Sequence, residues 1–364
     1  NSGLSRRIVL WTSLRSNGSP TRLLFLLMMV SALLSSFLAD IPVCAMMLPV
    51  ALLLLESNGC TPGKSAYGKA VMIGIPIACL IGGVGTPAGS AMNMLTMGML
   101  QDMAKVDISF FKWMAMGMPM VLILTPIAWY AVVKVYQPEL ETLEGMDEVA
   151  RQYAELGQLS GHESRFLIIL AFNFILWCTC GMFRMPLPVA ALLGSALFTI
   201  PRLGYIDWTH DKDRVGWDIL MLIGACNALG MIIFNTGGAT WIVQNCLGGL
   251  AALPPLGIVA VISLFTVLIH LLVPVNTALV AVMVPALVVL AQGLGVNPAL
   301  FVVPMGFSVS AALLLPLDPV PLVTYPAGYY RMGDMARPGA FISVAWVIVM
   351  VLIMATLAGP LGLM

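Results

Sequence analysis

Charge is scarce in this chain: Asp, Glu, Lys and Arg make up 9% of its 364 residues, and histidine occurs three times. A soluble domain carries roughly 25–35% of these residues on its surface, so an ordinary water-facing globule is excluded. Seventeen bases balance seventeen acids and no Lys/Arg stripe builds up, which excludes an electrostatic nucleic-acid interface. The seven cysteines, Cys44, Cys60, Cys79, Cys178, Cys180, Cys226 and Cys246, form no Cys-x-x-Cys pair and read as small packing residues. The sequence has no phosphate-binding loop, metal-ligand cluster or nucleophile triad, so no resident cofactor is expected. The polar stretch from Asn1 to Pro20 has no signal-peptide hydrophobic region.

Apolar residues fill the chain instead. They make up 60% of it, the mean hydropathy is +0.98, and many uncharged segments reach the about 17–25 residues that cross a bilayer core. The expected fold class is an all-α polytopic membrane protein.

Sliding the sequence along itself by about 235 positions brings three pairs of stretches into register. Asn1-Ser2-Gly3 faces Asn235-Thr236-Gly237. The stretch from Asp40 to Pro49 faces that from Asn276 to Pro285. Gly85-Thr86-Pro87-Ala88-Gly89-Ser90 faces Leu315-Pro316-Leu317-Asp318-Pro319-Val320, and both interrupt an apolar helix near its middle. Such breaks free backbone groups that lipid cannot satisfy, so they survive only where they line a protein-buried or wet cavity. Corresponding breaks in two halves mark the binding site of a transporter.

The expected organisation is therefore two inverted repeats. The first spans residues 1–135, with an interfacial helix 1–18, a re-entrant hairpin 19–56, a broken helix 68–105 and a spanning helix 113–135. An acidic linker covers 136–164. The second repeat spans 165–364, with a re-entrant hairpin 253–294, a broken helix 298–333 and a last spanning helix 338–361. Helices near 165–183, 185–200 and 217–234 precede Asn235 but have no counterpart before Asn1, so about three or four further helices are expected upstream.

With both hairpins re-entrant, all Lys and Arg fall on one side except Lys105, Lys112 and Arg184. The positive-inside rule makes that side cytoplasmic, together with the linker and its seven carboxylates, and puts the C-terminus outside.

Of seventeen acids, only Asp40 and Asp318 lie well inside apolar segments. An ionised group there costs at least about 2.5–3.5 kcal/mol, so it needs a cation, a partner or a proton. A capping role for Asp40 at the half-helix beginning near Pro42 is the simpler reading. The repeat favours a functional one, because it gives each half one carboxylate, Asp40 from a hairpin tip and Asp318 from a break. Sodium takes hard oxygen ligands, and a proton would also neutralise a buried acid, so coupling by Na⁺ or H⁺ is open on the chemistry. His270 is a proton relay or a packed histidine; Asn93, Thr96 and Thr324 read as structural groups near the breaks.

Phe37-Leu38-Ala39-Asp40-Ile41 with Ala45-Met46-Met47-Leu48-Pro49, then Gly82-Gly83-Val84-Gly85-Thr86 with Gly89 and Asn93, resembles the divalent anion/sodium symporter family. Asn276-Thr277-Ala278 and the stretch from Leu314 to Tyr330 are similar to its second half. The resemblance implies an elevator-type transporter, a homodimer in a prokaryotic plasma membrane, that moves a small carboxylate or sulfate-like anion with a coupling cation. It implies a first cation site at Ser35, Ala39, Asp40 and Gly89, and a second at Val275, Asn276 and Asp318. Substrate contacts would fall at Asp40, Ile41, Ser90, Asn276, Thr277, Pro319 and Val320. Where the family has Ser-Asn-Thr tips, this chain has Ala-Asp-Ile and Val-Asn-Thr. Where it has Thr-Pro-Pro breaks, this chain has Ser-Ala-Met and Pro-Val-Pro. Two sodium ions beside two aspartates leave no net positive charge, so a less charged organic anion and a dianion both stay open.

Two rivals follow from the acids. A cation/proton antiporter of related fold also places acids in broken helices. An intramembrane aspartyl protease uses paired acids too, but its Gly-x-Gly-Asp context is missing, since Asp318 follows Leu315-Pro316-Leu317.

Overall fold

A computed structural model describes residues 4–144, 146–183, 185–200, 204–206, 208–211 and 217–363. Asn1-Ser2-Gly3, Arg184, Arg202, Lys212 and Arg214, which enter the repeat and the charge asymmetry, lie outside the described residues.

The first half runs α1 (Leu4–Leu14), α2 (Pro20–Phe37), α3 (Asp40–Ser57), α4 (Ala66–Gly83), a 3-10 turn (Pro87–Gly89), α5 (Ala91–Ala104) and α6 (Phe110–Val135). The linker carries α7 (Met146–Glu155), followed by α8 (Gly161–Thr179), α9 (Leu187–Thr199), a single turn α10 (Trp208–Asp211) and α11 (Trp217–Asn235). The second half continues with α12 (Gly238–Ile242), α13 (Pro255–Ile269), α14 (Asn276–Gly293), α15 (Ala299–Ser308), α16 (Pro319–Thr324) and α17 (Met332–Leu357). Among the described residues seven helices are long and apolar enough to cross a membrane, and the segment Gly238–Leu250 meets Pro255–Ile269 at a bend of 113°. The chain is an all-helical integral membrane protein.

Helix starts follow local chemistry. Ser19 caps α2 by accepting the Arg22 N–H, with Pro20 at the first helical position; Ser65 caps α4 and Ser109 caps α6 in the same way. Ser160 and Glu163 form a reciprocal capping box at the start of α8.

Two boundaries differ from those the sequence suggested. The last helix starts at Met332 rather than 338, because the Asp334 carboxylate accepts the Arg331 N–H at 2.9 Å and opens the helix there. Pro338 then sits inside α17 instead of at its first position. The half-helix after the second break is short, because the chain turns at Gly328, whose φ of 75° is the left-handed conformation that glycine favours.

One pattern of neighbours repeats. α2 packs on α4 and α6, and α13 on α15 and α17; α3 packs on α16, and α14 on α5; α4 packs on α16, and α15 on α5; α6 and α17 pack on each other. Exchanging α2 to α6 for α13 to α17 maps each of these contacts onto another, and the contact of α6 with α17 onto itself. Single side chains follow the same exchange. Gly117 of α6 lies against the Val84 carbonyl at the first break, and Gly339 of α17 against the Leu313 carbonyl at the second. Thr324 of α16 donates to the Met72 carbonyl of α4 at 2.9 Å, while Thr96 of α5 packs on Gly306 of α15.

Outside this paired core, α8 packs on α9, and α11 on α14 and α5. Arg7 of α1 joins the linker to α8: it donates to the Leu156, Gly157 and Gln158 carbonyls and to both oxygens of Glu163. This guanidinium, with the Ser160 N–H, holds the Glu163 carboxyl down to about 2.

Candidate functional site: two tips and two breaks

At the first tip, Leu38 and Ala39 are extended and join α2 to α3. Ala39 occupies the cap position without a capping side chain, so the first carboxylate of α3 does that work: Asp40 Oδ1 accepts the Ile41 N–H at 2.9 Å. Polar side chains tie this tip to the first break. Ser36 Oγ donates to the Ala32 and Gly82 carbonyls at 3.0 Å, and Thr86 Oγ1 donates to the Ser36 carbonyl. Asn93 Nδ2 spans the break, donating to the Gly83 and Thr86 carbonyls at 2.8 Å each, while its buried Oδ1 has no partner among the described residues.

Oxygen atoms crowd where tip and break meet. A methyl at Gly89 would sit 2.6 Å from the Gly83 carbonyl oxygen and 2.8 Å from that of Ser35. One at Gly83 would meet Asp40 Oδ2 at 3.3 Å and the Gly89 carbonyl oxygen at 3.7 Å. Only glycine admits this approach. Ser35, Gly83, Gly89 and Asp40 thus bring acceptors together, and among the described residues no donor reaches Asp40 Oδ2. Carbonyl oxygens gathered around a carboxylate oxygen that accepts no hydrogen bond have the chemistry that a hard cation takes.

At the second tip, His270 to Val275 turn the chain from α13 into α14. Asp318 caps α16, its Oδ1 accepting the Val320 N–H at 2.9 Å. Its Oδ2 accepts from Asn276 Nδ2 at 2.8 Å, Asn276 Oδ1 lies 3.0 Å from His270 Nε2, and His270 Nδ1 lies 2.7 Å from the Thr266 carbonyl oxygen. Thr277 is buried, and its hydroxyl has no partner among the described residues. The two tips are near one another: Cys44 Sγ of α3 donates to the Val320 carbonyl of α16 at 3.5 Å.

The expected residues therefore divide. Asp40 and Gly89 meet at the first place, joined by Ser35 through its carbonyl; its hydroxyl turns away to the Cys79 carbonyl at 2.7 Å. Asn276 and Asp318 meet at the second, with Thr277 beside Asn276 in the chain and Val320 bonded to Asp318. Ser90 spends its hydroxyl capping α5. Ile41, Val275, Pro319 and Ala39 are exposed around the tips. Sequence reasoning quoted Gly83 in a family motif but did not name it a site residue, and left open the role of His270, which proves to be hydrogen-bonded to the second tip.

Two tips seated on two helix breaks, each with one acidic side chain, define a membrane transporter of the broken-helix class. A family profile described as the sodium:sulfate symporter transmembrane region matches residues 1–364, and the chain belongs to that family. The motif resemblance is thereby borne out. The sodium-dependent dicarboxylate transporter SdcS of Staphylococcus saprophyticus is 29% identical over 94% of this chain and 70% of its own length. A membrane protein of Cupriavidus necator is 27% identical over 97% of this chain and 70% of its own. Among solved structures, the Alcanivorax borkumensis YdaH transporter matches with a TM-score of 0.56 over 96% of this chain and 83% of its own, at 15% identity, a likeness of fold. The family is one of transporters, so the chain is not an enzyme, and the protease alternative falls away.

Proposed function

We propose that the protein is a secondary transporter that moves a small carboxylate or sulfate-like anion together with a coupling cation, sodium at the first site. The observation that carries this reading is the cluster formed by the Ser35, Gly83 and Gly89 carbonyls and Asp40 Oδ2, the carboxylate oxygen being one that no donor among the described residues reaches, at the place where a tip enters a helix break. Relatives named sodium-dependent dicarboxylate transporters support sodium as the cation and a carboxylate as cargo. The cation is held from Ser35, Ala39, Asp40 and Gly89 at the first place, with Val275, Asn276 and Asp318 as its counterpart at the second.

The anion binds between the two places, against Asp40, Ile41, Ser90, Asn276, Thr277, Pro319 and Val320. The N-terminus of α14, which no side chain caps, presents backbone N–H groups there, and the Thr277 hydroxyl, unpartnered among the described residues, offers a further donor. Cation and anion stabilise one another in the occupied site, which is the physical basis of coupling.

The paired contacts of α2 to α6 and α13 to α17 support an inverted repeat in which the two hairpins move as an elevator against a scaffold that also forms a homodimer. In this arrangement the chain sits in a prokaryotic plasma membrane with residues 136–164 cytoplasmic and the C-terminus outside. Purified protein in proteoliposomes tests the reading. An inward sodium gradient should accumulate labelled succinate or sulfate, and no accumulation of either anion, or proton movement without any organic substrate, would refute it.

A further inference from the structure

The two tips open helices of equal length and unlike chemistry. α3 and α14 have 18 residues each and both begin beside a break. At α14 no side chain caps the N-terminus, so its first-turn N–H groups keep the partial positive charge that a helix end carries. The second residue of that helix is Thr277, 4% exposed, whose hydroxyl has no partner among the described residues. Side chains on a helix lean toward its N-terminus, which directs the hydroxyl to the same end. An uncapped helix end with a buried hydroxyl donor suits a carboxylate. Asp318 leaves these donors alone, because its two oxygens already accept from Val320 and Asn276.

α3 has the reverse chemistry. Its first residue is an acid, and Asp40 Oδ1 accepts the Ile41 N–H at 2.9 Å. In the register that pairs Asp40 with Asn276, the partner of Thr277 is Ile41, an apolar side chain 37% exposed. A sodium ion at Asp40 balances that carboxylate and leaves no positive charge over for a second anionic group.

One short helix links the two ends. Ile41 lies a turn before Cys44 on the same face of α3, and Cys44 Sγ reaches the Val320 carbonyl of α16 at 3.5 Å. The Val320 N–H donates to Asp318 Oδ1, and Asp318 Oδ2 accepts from Asn276 of α14. The apolar end and the donor end thus flank the same place.

We infer that the anion favoured here has one carboxylate and an apolar body, its carboxylate at the N-terminus of α14 with the Thr277 hydroxyl and its apolar end against Ile41. This rests on the reading of cation-coupled symport and narrows the cargo within it: a short aliphatic monocarboxylate binds ahead of a dicarboxylate of the same length. An apolar end against Ile41 leaves water at a gain, whereas a second carboxylate there would lose its water, find no hydroxyl and face Asp40. Thr277 and Ile41 become the specificity-determining pair, one for the head and one for the tail.

Butyrate and succinate test this, since they share a four-carbon chain and differ only in a methyl group for the second carboxylate. Calorimetric titration of the purified full chain, with and without sodium, gives both dissociation constants. In sodium, butyrate should bind at least about tenfold more tightly than succinate. Ile41→Thr should weaken butyrate about fourfold, the loss of one buried carbon, and should strengthen succinate. Thr277→Ala should weaken both anions alike, by at least about tenfold, the loss of a hydrogen bond to a charged group. Succinate bound as tightly as butyrate, a ratio unmoved by Ile41→Thr, or a Thr277→Ala loss confined to one anion would overturn the inference and leave the symport reading standing. Neither anion bound while sulfate uptake runs on sodium would do the same. No sodium-dependent binding of either, with no sodium-driven uptake of succinate or sulfate in proteoliposomes, would overturn both. The wild-type ratio decides the matter even where a variant does not fold.

Discussion

Gly339→Ala separates a break held by backbone packing from one that merely happens to lie near α17. The glycine lies with its Cα against the Leu313 carbonyl, and a methyl group built there would overlap that oxygen. A flexible side chain could swing aside; a backbone carbonyl at a helix break cannot, so α17 or the break itself must move. Overpacking of this kind costs about 1–3 kcal/mol, offset by the roughly 0.5–1 kcal/mol that Ala gains over Gly inside a helix. A net loss of about 1–2 kcal/mol follows, corresponding to a fall of roughly 2–6 °C in melting temperature for a protein of this size. Gly98 in α5 and Gly224 in α11 have no atom within 4 Å of the same built position, so Ala there should leave the melting temperature unchanged or raise it. Because Leu313 also borders the cavity beside Asp318, Gly339→Ala should lower anion uptake further than its loss of stability accounts for. Melting curves of detergent-purified variants, followed by uptake in proteoliposomes, make the measurement. Gly339→Ala melting at or above the wild type, or Gly98→Ala falling as far, would refute the packing argument.

Three further outcomes follow from the site and the linker. Asp40→Asn removes the only charged oxygen from the first cluster, and the sodium concentration for half-maximal uptake should rise at least about tenfold, the equivalent of about 1.4 kcal/mol; an unchanged sodium dependence removes Asp40 from the ion site. Thr277→Ala deletes a buried hydroxyl that has no partner among the described residues, so stability should stay within about 0.5 kcal/mol of the wild type while KM for the anion rises, and an unchanged KM takes Thr277 out of the substrate site. Arg7 holds the Glu163 carboxyl at about 2, below its ordinary 4.5, so this ion pair stabilises the fold fully above 4.5 and progressively less as pH falls toward 2. Melting temperatures across that window should decline less in Glu163→Gln than in the wild type, and parallel declines would show that the pair contributes nothing.

The sequence carried the fold as far as side chains carry it. Apolar runs announced the helices, and Gly-Pro interruptions at Gly85–Gly89 and Pro316–Pro321 announced the breaks, because both signals are local. Asp40 and Asp318 stood out because an acid in lipid is expensive wherever it occurs. Backbone ligands leave no such trace: Gly83 contributes a carbonyl, and only its lack of a side chain shows in the sequence. Ser35 was named through its family pattern, yet its hydroxyl bonds to Cys79 and only its carbonyl faces the cluster. Pro338 read as a helix start, since proline favours the first turn, but Asp334 had already opened the helix. The His270–Asn276–Asp318 chain was hidden for a different reason. It joins residues from three elements, and its meaning depends on which nitrogen faces which oxygen, a property of geometry and not of composition.

Charge at the two tips sets what kind of anion the site suits. Two sodium ions facing Asp40 and Asp318 would leave the site neutral before the anion arrives. Only the helix N-termini then attract the anion, and those of α3 and α14 each act as roughly half a positive charge. A field of about one charge holds a single carboxylate well and a second one weakly. Neutral tips in the Ser-Asn-Thr pattern with two sodium ions would instead offer two full charges to a dianion. On the proposed cation-coupled reading, Asp in place of Asn at the first tip should shift selectivity toward anions of lower charge, and uptake of a labelled monocarboxylate against a labelled dicarboxylate measures it. The shift acts through net charge alone, without altering the shape of the site.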